Sequence, residues 1–142
     1  MNNTSNNMAS PAVQNTLQRW HEMVATRDMR VLEQILAEDV VFYSPVAFNP
    51  YPGKAVVSFI LQNVIQVFEN FTYHRSFVSD DGHNVVLEFS ANIGEAKLKG
   101  IDMIRFDDQG QIVEFEVMIR PKRGLEALAA QMGERIKAFQ PQ

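Results

Sequence analysis

From Phe71 to Arg120 the chain reads as strand-type runs joined by turns too short to hold anything else. The runs are Phe71–Val78, Asn84–Ile93, Ala96–Phe106 and Ile112–Arg120, rich in β-branched and aromatic residues. Asp80-Asp81-Gly82, Gly94-Glu95 and Asp108-Gln109-Gly110 separate them, residue types that accept the tight backbone of a hairpin. Each run must therefore lie antiparallel to the next. What precedes Phe71 is helical in period, and helices followed by hairpins leave one class: α+β, a curved, mostly antiparallel sheet with helices packed on its concave face.

The helices announce themselves locally. Ser10 is placed to cap a helix with Pro11 in its first turn. It runs to about Ala25, with Val13, Leu17, Trp20 and Val24 on one stripe. Asp28 is positioned to cap a short second helix that buries Val31, Leu32, Ile35 and Leu36. A brief strand, Val40–Ser44, enters a loop holding Pro45, Pro50, Pro52 and Gly53. A third helix then runs from near Lys54 to about Glu69, apolar over most of its circumference, which predicts cover on nearly every side. After Pro121 and Gly124, Leu125–Phe139 forms a last amphipathic helix. Residues 1–10, polar and Asn-rich, read as a disordered lead-in to one domain, 11–142.

A chain of 142 residues buries enough core to stand without disulfides or metal. Cysteine is absent, which removes thiol catalysis and cysteine-ligated zinc. A net charge of −4 with no basic tract argues against nucleic acid as a partner. No apolar run approaches a membrane span, and the first residues lack the features of a signal peptide. The expectation is a cytoplasmic protein with no membrane partner. His21, His74 and His83 are too dispersed for a metal site, and no phosphate loop or nucleophile elbow occurs, so no cofactor is expected.

The chemistry-bearing residue is Asp102. Alternate side chains of a strand share a face. Leu98, Gly100, Asp102, Ile104 and Phe106 point one way; Lys97, Lys99, Ile101, Met103 and Arg105 point the other. Asp102 is thus written into the apolar face, where an ionised carboxylate is costly unless paired or protonated. It is a buried brace, a wet residue at an exposed edge, or a functional acid. On the next strand Val113, Phe115, Val117 and Ile119 take the inward phase. Glu114 and Glu116 face outward, within reach of Lys97, Lys99 or Arg105. An outer face that mixes these charges with Ile101, Met103 and Met118 suits a two-fold homodimer.

The order of elements resembles the nuclear transport factor 2-like (cystatin-like) superfamily over about residues 11–120. The resemblance rests on Leu36-Ala37-Glu38-Asp39-Val40-Val41-Phe42 before the proline loop, on Gly53 opening the third helix, and on Gly100-Ile101-Asp102-Met103-Ile104-Arg105-Phe106-Asp107-Asp108-Gln109-Gly110. It implies a cone with an apolar pocket between helices and sheet. In the ketosteroid isomerases of this superfamily a carboxylate base moves a proton while a tyrosine and a protonated Asp steady the oxyanion. Asp102 matches that protonated Asp. Trp20 stands where the tyrosine belongs and Ser44 where the base belongs, so that mechanism lacks two of its groups here. The Asp-Arg-Asp set of limonene epoxide hydrolases is missing too: Gly100 takes the Arg position. Cyclases of the SnoaL type use an Asp with a nearby His, for which His74 is the strand candidate.

The phase of the first run leaves the facing of His74 open, since Phe71, Tyr73 and Phe77 lie opposite Thr72, His74 and Val78. The candidates are then Asp102 with His74, or second Tyr73, as catalytic groups, in a pocket lined by Trp20, Val24, Phe42, Ser44, Phe59, Tyr73, Phe89 and Ile119. Trp20 fills core or turns its indole N–H toward Asp102; Ser44 orients a ligand or bonds local backbone. The expected function is a pocket for a small apolar, oxygen-bearing ligand, with Asp102 as proton donor or orienting group and isomerase or cyclase activity open. The alternative is a non-catalytic dimeric or protein-interaction domain whose pocket is plugged.

Overall fold

The computed structural model describes residues 9–139, with side chains as far as Lys137. Most of the expected lead-in, residues 1–8, and the side chain of Phe139 lie outside the described residues. Ala9 and Ser10 belong to the fold. Ala9 is buried, and the Ser10 hydroxyl accepts the Val13 amide at 3.3 Å to cap α1 (Pro11–Thr26). Arg27 ends the helix in the left-handed conformation, φ 61°, and its guanidinium donates to the Phe68 carbonyl at 2.7 Å.

The second helix expected after Asp28 is only a 3-10 turn, Leu32–Gln34. Asp28 caps nothing there, since its carboxylate accepts the Arg30 amide and side chain, and Val31 is exposed. The sheet has taken the remainder. The Ile112 amide donates to the Ile35 carbonyl at 2.8 Å, and Leu36 already registers with Ile112. Pairing outweighs the local helical period.

The first strand is therefore longer than its sequence signal: β1 spans Leu36–Tyr43. A short β2 (Tyr51–Pro52) and helix α2 (Lys54–Val67) follow. The meander then runs β3 (Glu69–Val78), β4 (Asn84–Ile93), β5 (Ala96–Phe106) and β6 (Ile112–Arg120), and α3 covers Lys122–Phe139. The six strands lie in the order β2-β1-β6-β5-β4-β3, antiparallel except where β1 meets β6. This is the expected α+β arrangement, a curved and unclosed sheet with its helices. No helix among the described residues is long and apolar enough to cross a membrane.

Strand β5 alternates as the period-two argument requires: Leu98, Gly100, Asp102, Ile104 and Phe106 are buried, while Lys97, Lys99, Met103 and Arg105 are exposed. Strand β6 breaks the rule once. Arg105 pairs with Glu114 but Phe106 pairs with Ile112, so Val113 is an extra residue. The bulge puts Ile112 in the core and leaves Val113 half-buried, contrary to the inward phase expected for Val113. Helix α2 also departs from expectation. Val57, Ile60, Leu61 and Ile65 are buried, but Val56 and Phe59 are exposed, so its cover is incomplete.

On the outer face Glu88, only 9% exposed, binds Arg75 at 2.7 Å and Lys99 at 3.3 Å. Arg75 holds its carboxyl down at about 2. Of the pairs expected for Glu114 and Glu116, only Arg105 with Glu114 forms, at 4.0 Å. Met103 and Met118 remain exposed beside them.

Helix α1 is seated on the sheet by the β5–β6 turn. The Thr16 hydroxyl donates to the Gly110 carbonyl at 2.6 Å. Gly110 has φ 83°, and a methyl group there would lie 2.6 Å from the Ala12 carbonyl oxygen. Gly110→Ala is expected to lower unfolding free energy by at least about 1–2 kcal/mol from backbone conformation alone, with the clash added. Urea denaturation measures it, and an unchanged midpoint would disprove this seating.

Candidate functional site

Three side chains from three distant parts of the chain meet inside the fold. Trp20 on α1 donates its indole N–H to the Tyr73 hydroxyl of β3 at 2.9 Å. Tyr73 donates that hydroxyl to Asp102 Oδ2 on β5 at 2.6 Å. The indole N–H therefore bonds Tyr73 rather than Asp102, toward which one sequence reading turns it. Tyr73 is the intermediary, and the alternation leaves its facing open.

A stack of rings holds Tyr73 in place. Gly100 leaves room for Phe89, since a methyl at Gly100 would lie 2.6 Å from Phe89 Cζ. Phe89, fully buried, stacks on Phe71 at 4.9 Å, and Phe71 meets Tyr73 edge-on at 4.8 Å. On the opposite wall Trp20 packs against Phe115 at 5.2 Å, and Phe115 against Phe42 at 6.1 Å. His21 sets its ring edge-on to Tyr73 at 5.1 Å. Such contacts each add modestly to burial and fix ring orientation.

Between these walls lies a cavity of about 40 Å³. Trp20, Phe42, Tyr73 and Asp102, all expected, line it. So do Phe68, Phe71, Phe115 and Val117, with Leu61, Val64 and Ile65 of α2, Leu128 of α3, and Pro45. Phe115 and Val117 are legible from the inward phase of β6, and Phe71 from sharing a face with Tyr73. The α2 and α3 contributions carry no signal beyond amphipathicity.

Other expected residues stand elsewhere. Phe89 lies one layer below the cavity, and Val24 and Ile119 are partly buried against the core. The Ser44 hydroxyl accepts the Val46 amide at 3.0 Å, the local backbone role. Phe59 is 37% exposed on the far side of α2. His74 is exposed on the outer face with Nε2 2.8 Å from Ser90 Oγ, so the sheet separates it from Asp102. A bulge between Tyr73 and Ser76 accompanies this turnout. No cluster of potential metal ligands occurs among the described residues.

The electrostatics follow from burial. Asp102 is 5% exposed, and desolvation pushes its carboxyl up to about 7, against a smaller downward pull from the Tyr73 hydrogen bond. Burial also drives the Tyr73 phenol well above its ordinary value, with the Asp102 charge adding to it. Burial thus lets Asp102 hold its proton far above the ordinary carboxylate range. Protonated, it is a hydrogen-bond donor in an apolar cavity; ionised, it is a base.

Comparison with known proteins gives the setting. A family model described as a SnoaL-like domain matches residues 17–115. A crystal structure described as a steroid delta-isomerase from Pseudomonas aeruginosa is 53% identical over 92% of this chain and 96% of that one, with a TM-score of 0.91. A protein with a cystatin-like fold from Silicibacter pomeroyi is 33% identical over 91% of this chain and 90% of its own, TM-score 0.84. An NTF2-like protein from Mesorhizobium loti, at 16% identity over 85% of this chain and 97% of its own, shares the fold at a TM-score of 0.69. No protein with a curated description matches the chain.

Two measurements test the site. In Asp102 the native state keeps a proton that the unfolded chain loses near 3.8, so stability should fall as pH rises from about 4 to about 7 and then level off. The full drop is on the order of 4 kcal/mol. Asp102→Asn should abolish that contribution. His83, raised chiefly by its hydrogen bond to the Asp81 carbonyl, and His21, lowered by burial, are common to both proteins and cancel. Equal pH profiles for wild type and variant would refute a protonated Asp102. Tyr73→Phe removes the donor that holds the carboxyl down, so carboxyl-resolved NMR should place the Asp102 midpoint higher than in wild type. Stability should fall by about 1–3 kcal/mol as the indole N–H loses its partner.

Proposed function

Since the chain belongs to the SnoaL-like domain family, within the nuclear transport factor 2-like superfamily, we propose that its inner cavity receives a small apolar ligand whose oxygen meets Asp102. The observation that carries this reading is the chain from Trp20 through Tyr73 to a buried carboxyl in an otherwise apolar cavity. In its protonated form such a carboxylic acid donates to a carbonyl or a developing oxyanion, and the apolar walls strengthen that bond. The steroid isomerase name of the Pseudomonas aeruginosa protein directs the ligand class toward cyclic ketones and enones.

Isomerase-type chemistry needs a group that takes the proton. Among the described residues, the only ionisable side chains lining the cavity are Asp102 and Tyr73. His74 drops out by its position, and Ser44 is engaged with backbone. Asp102 therefore acts as donor or orienting group in this reading, with any proton transfer passing through that same carboxyl.

Size sets the condition. About 40 Å³ holds roughly three waters, far below the roughly 300 Å³ of a usual ligand site. A ligand of that size requires the cavity to widen. The same small volume favours a second reading, a plugged cone that works as a cytoplasmic homodimer or protein-binding domain through Ile101, Met103 and Met118.

A melting-temperature screen of cyclic ketones, enones and lactones separates the two. The first reading expects a rise that grows with ligand concentration and is lost or much reduced in Asp102→Asn. Ligand-independent melting across the panel, alongside self-association that charge reversals at Lys99 and Glu116 disrupt, would establish the second.

A further inference from the structure

A second concavity, of about 450 Å³, opens on the side of α2 opposite the cavity, between the end of α1, α2 and α3. Its charge is the reverse of the chain's. The whole protein carries −4, whereas this lining holds Arg27, Arg30 and Arg135 against Asp28 alone. Asp28 is already engaged: its two oxygens accept from Arg30 at 2.8 and 2.7 Å. That leaves Arg27 and Arg135 with no carboxylate in ion-pair distance among the described residues.

Both guanidinium groups are nevertheless held in place, each by a neutral oxygen. Arg27 Nη2 donates to the Phe68 carbonyl at 2.7 Å. Arg135 Nε donates to Asn63 Oδ1 at 3.0 Å, and Asn63 Nδ2 in turn donates to the Phe59 carbonyl at 2.8 Å. Asn63 is only 7% exposed, so a buried amide fixes the direction of an arginine on another helix. A guanidinium has five N–H donors. One in each is used for positioning, and the forked remainder suits the paired oxygens of an anion.

We infer that this concavity binds a small organic carboxylate, gripped by Arg27 and Arg135, with its apolar body against the ring of Phe59. The partly exposed Phe59 ring lines the same concavity, which gives an apolar body somewhere to rest. The volume lies in the range of small-molecule sites. The site is separate from Asp102 and does not depend on the function proposed for the inner cavity.

Benzoate is the probe, titrated into the full chain and followed by amide NMR. Saturable shifts should centre on residues 27, 59, 63 and 135 and weaken as salt rises. Arg135→Gln should reduce affinity about tenfold or more, and Arg135→Lys, which keeps charge but loses the fork, should not restore it fully. Arg27→Gln gives an independent second variant, and Asp102→Asn should bind benzoate as wild type does. Inorganic phosphate, which lacks an apolar body, should bind more weakly. Absence of saturable shifts, affinity unchanged in both arginine variants, loss of binding in Asp102→Asn, or phosphate binding as tightly as benzoate would each overturn the assignment.

Discussion

The burial of one carboxyl organises this protein. Asp102 sits on the concave face of β5, where an ionised group is costly, and everything around it meets that cost in a specific way. Tyr73 supplies a hydrogen bond, Trp20 orients Tyr73, and the desolvated carboxyl holds its proton to about pH 7. The triad joins α1, β3 and β5, so one polar network in an apolar interior also fixes how the first helix lies across the sheet. A fully satisfied network of this kind specifies a unique packing, and a partly satisfied one would be destabilising. Among the described residues no buried side-chain polar atom lacks a partner.

Small residues and turns make that network possible. Gly100 admits the Phe89 ring, which stacks Phe71, which orients Tyr73. At the far end of the same hairpin Gly110 lets α1 approach closely enough for Thr16 to bond its carbonyl. The two glycines of one strand–turn unit thus set the floor of the cavity and the seat of the helix above it. Side chains of α2 and α3 and Pro45 line the cavity, and burial there raises the Asp102 carboxyl.

Much of this is legible residue by residue. The alternation of β5 is enough to place Asp102 inward, because a period of two leaves no freedom once one face is apolar. The ends of β4, β5 and β6 follow from turn residues, and Ser10 and Pro11 mark the start of α1. The failures have physical causes. Ile35 and Leu36 carry a helical spacing yet pair with Ile112, since long-range strand pairing outweighs a short local preference. Val113 loses its inward place to a bulge, which no periodic rule anticipates. His74 and Tyr73 are neighbours with opposite facing, and only pairing to β4 distinguishes them.

The sequence by itself determined the class of fold and the inward Asp102. These are local facts: residue type, period and turn chemistry act within a few positions of one another. Only the tertiary structure decided that Tyr73 bridges Trp20 and Asp102, that the cavity is small, and that Arg27 and Arg135 share a concavity. Those pairs stand 53, 29 and 108 positions apart in the chain. Their meeting depends on how the sheet curves and how the helices pack, and packing is a property of the whole chain rather than of any segment.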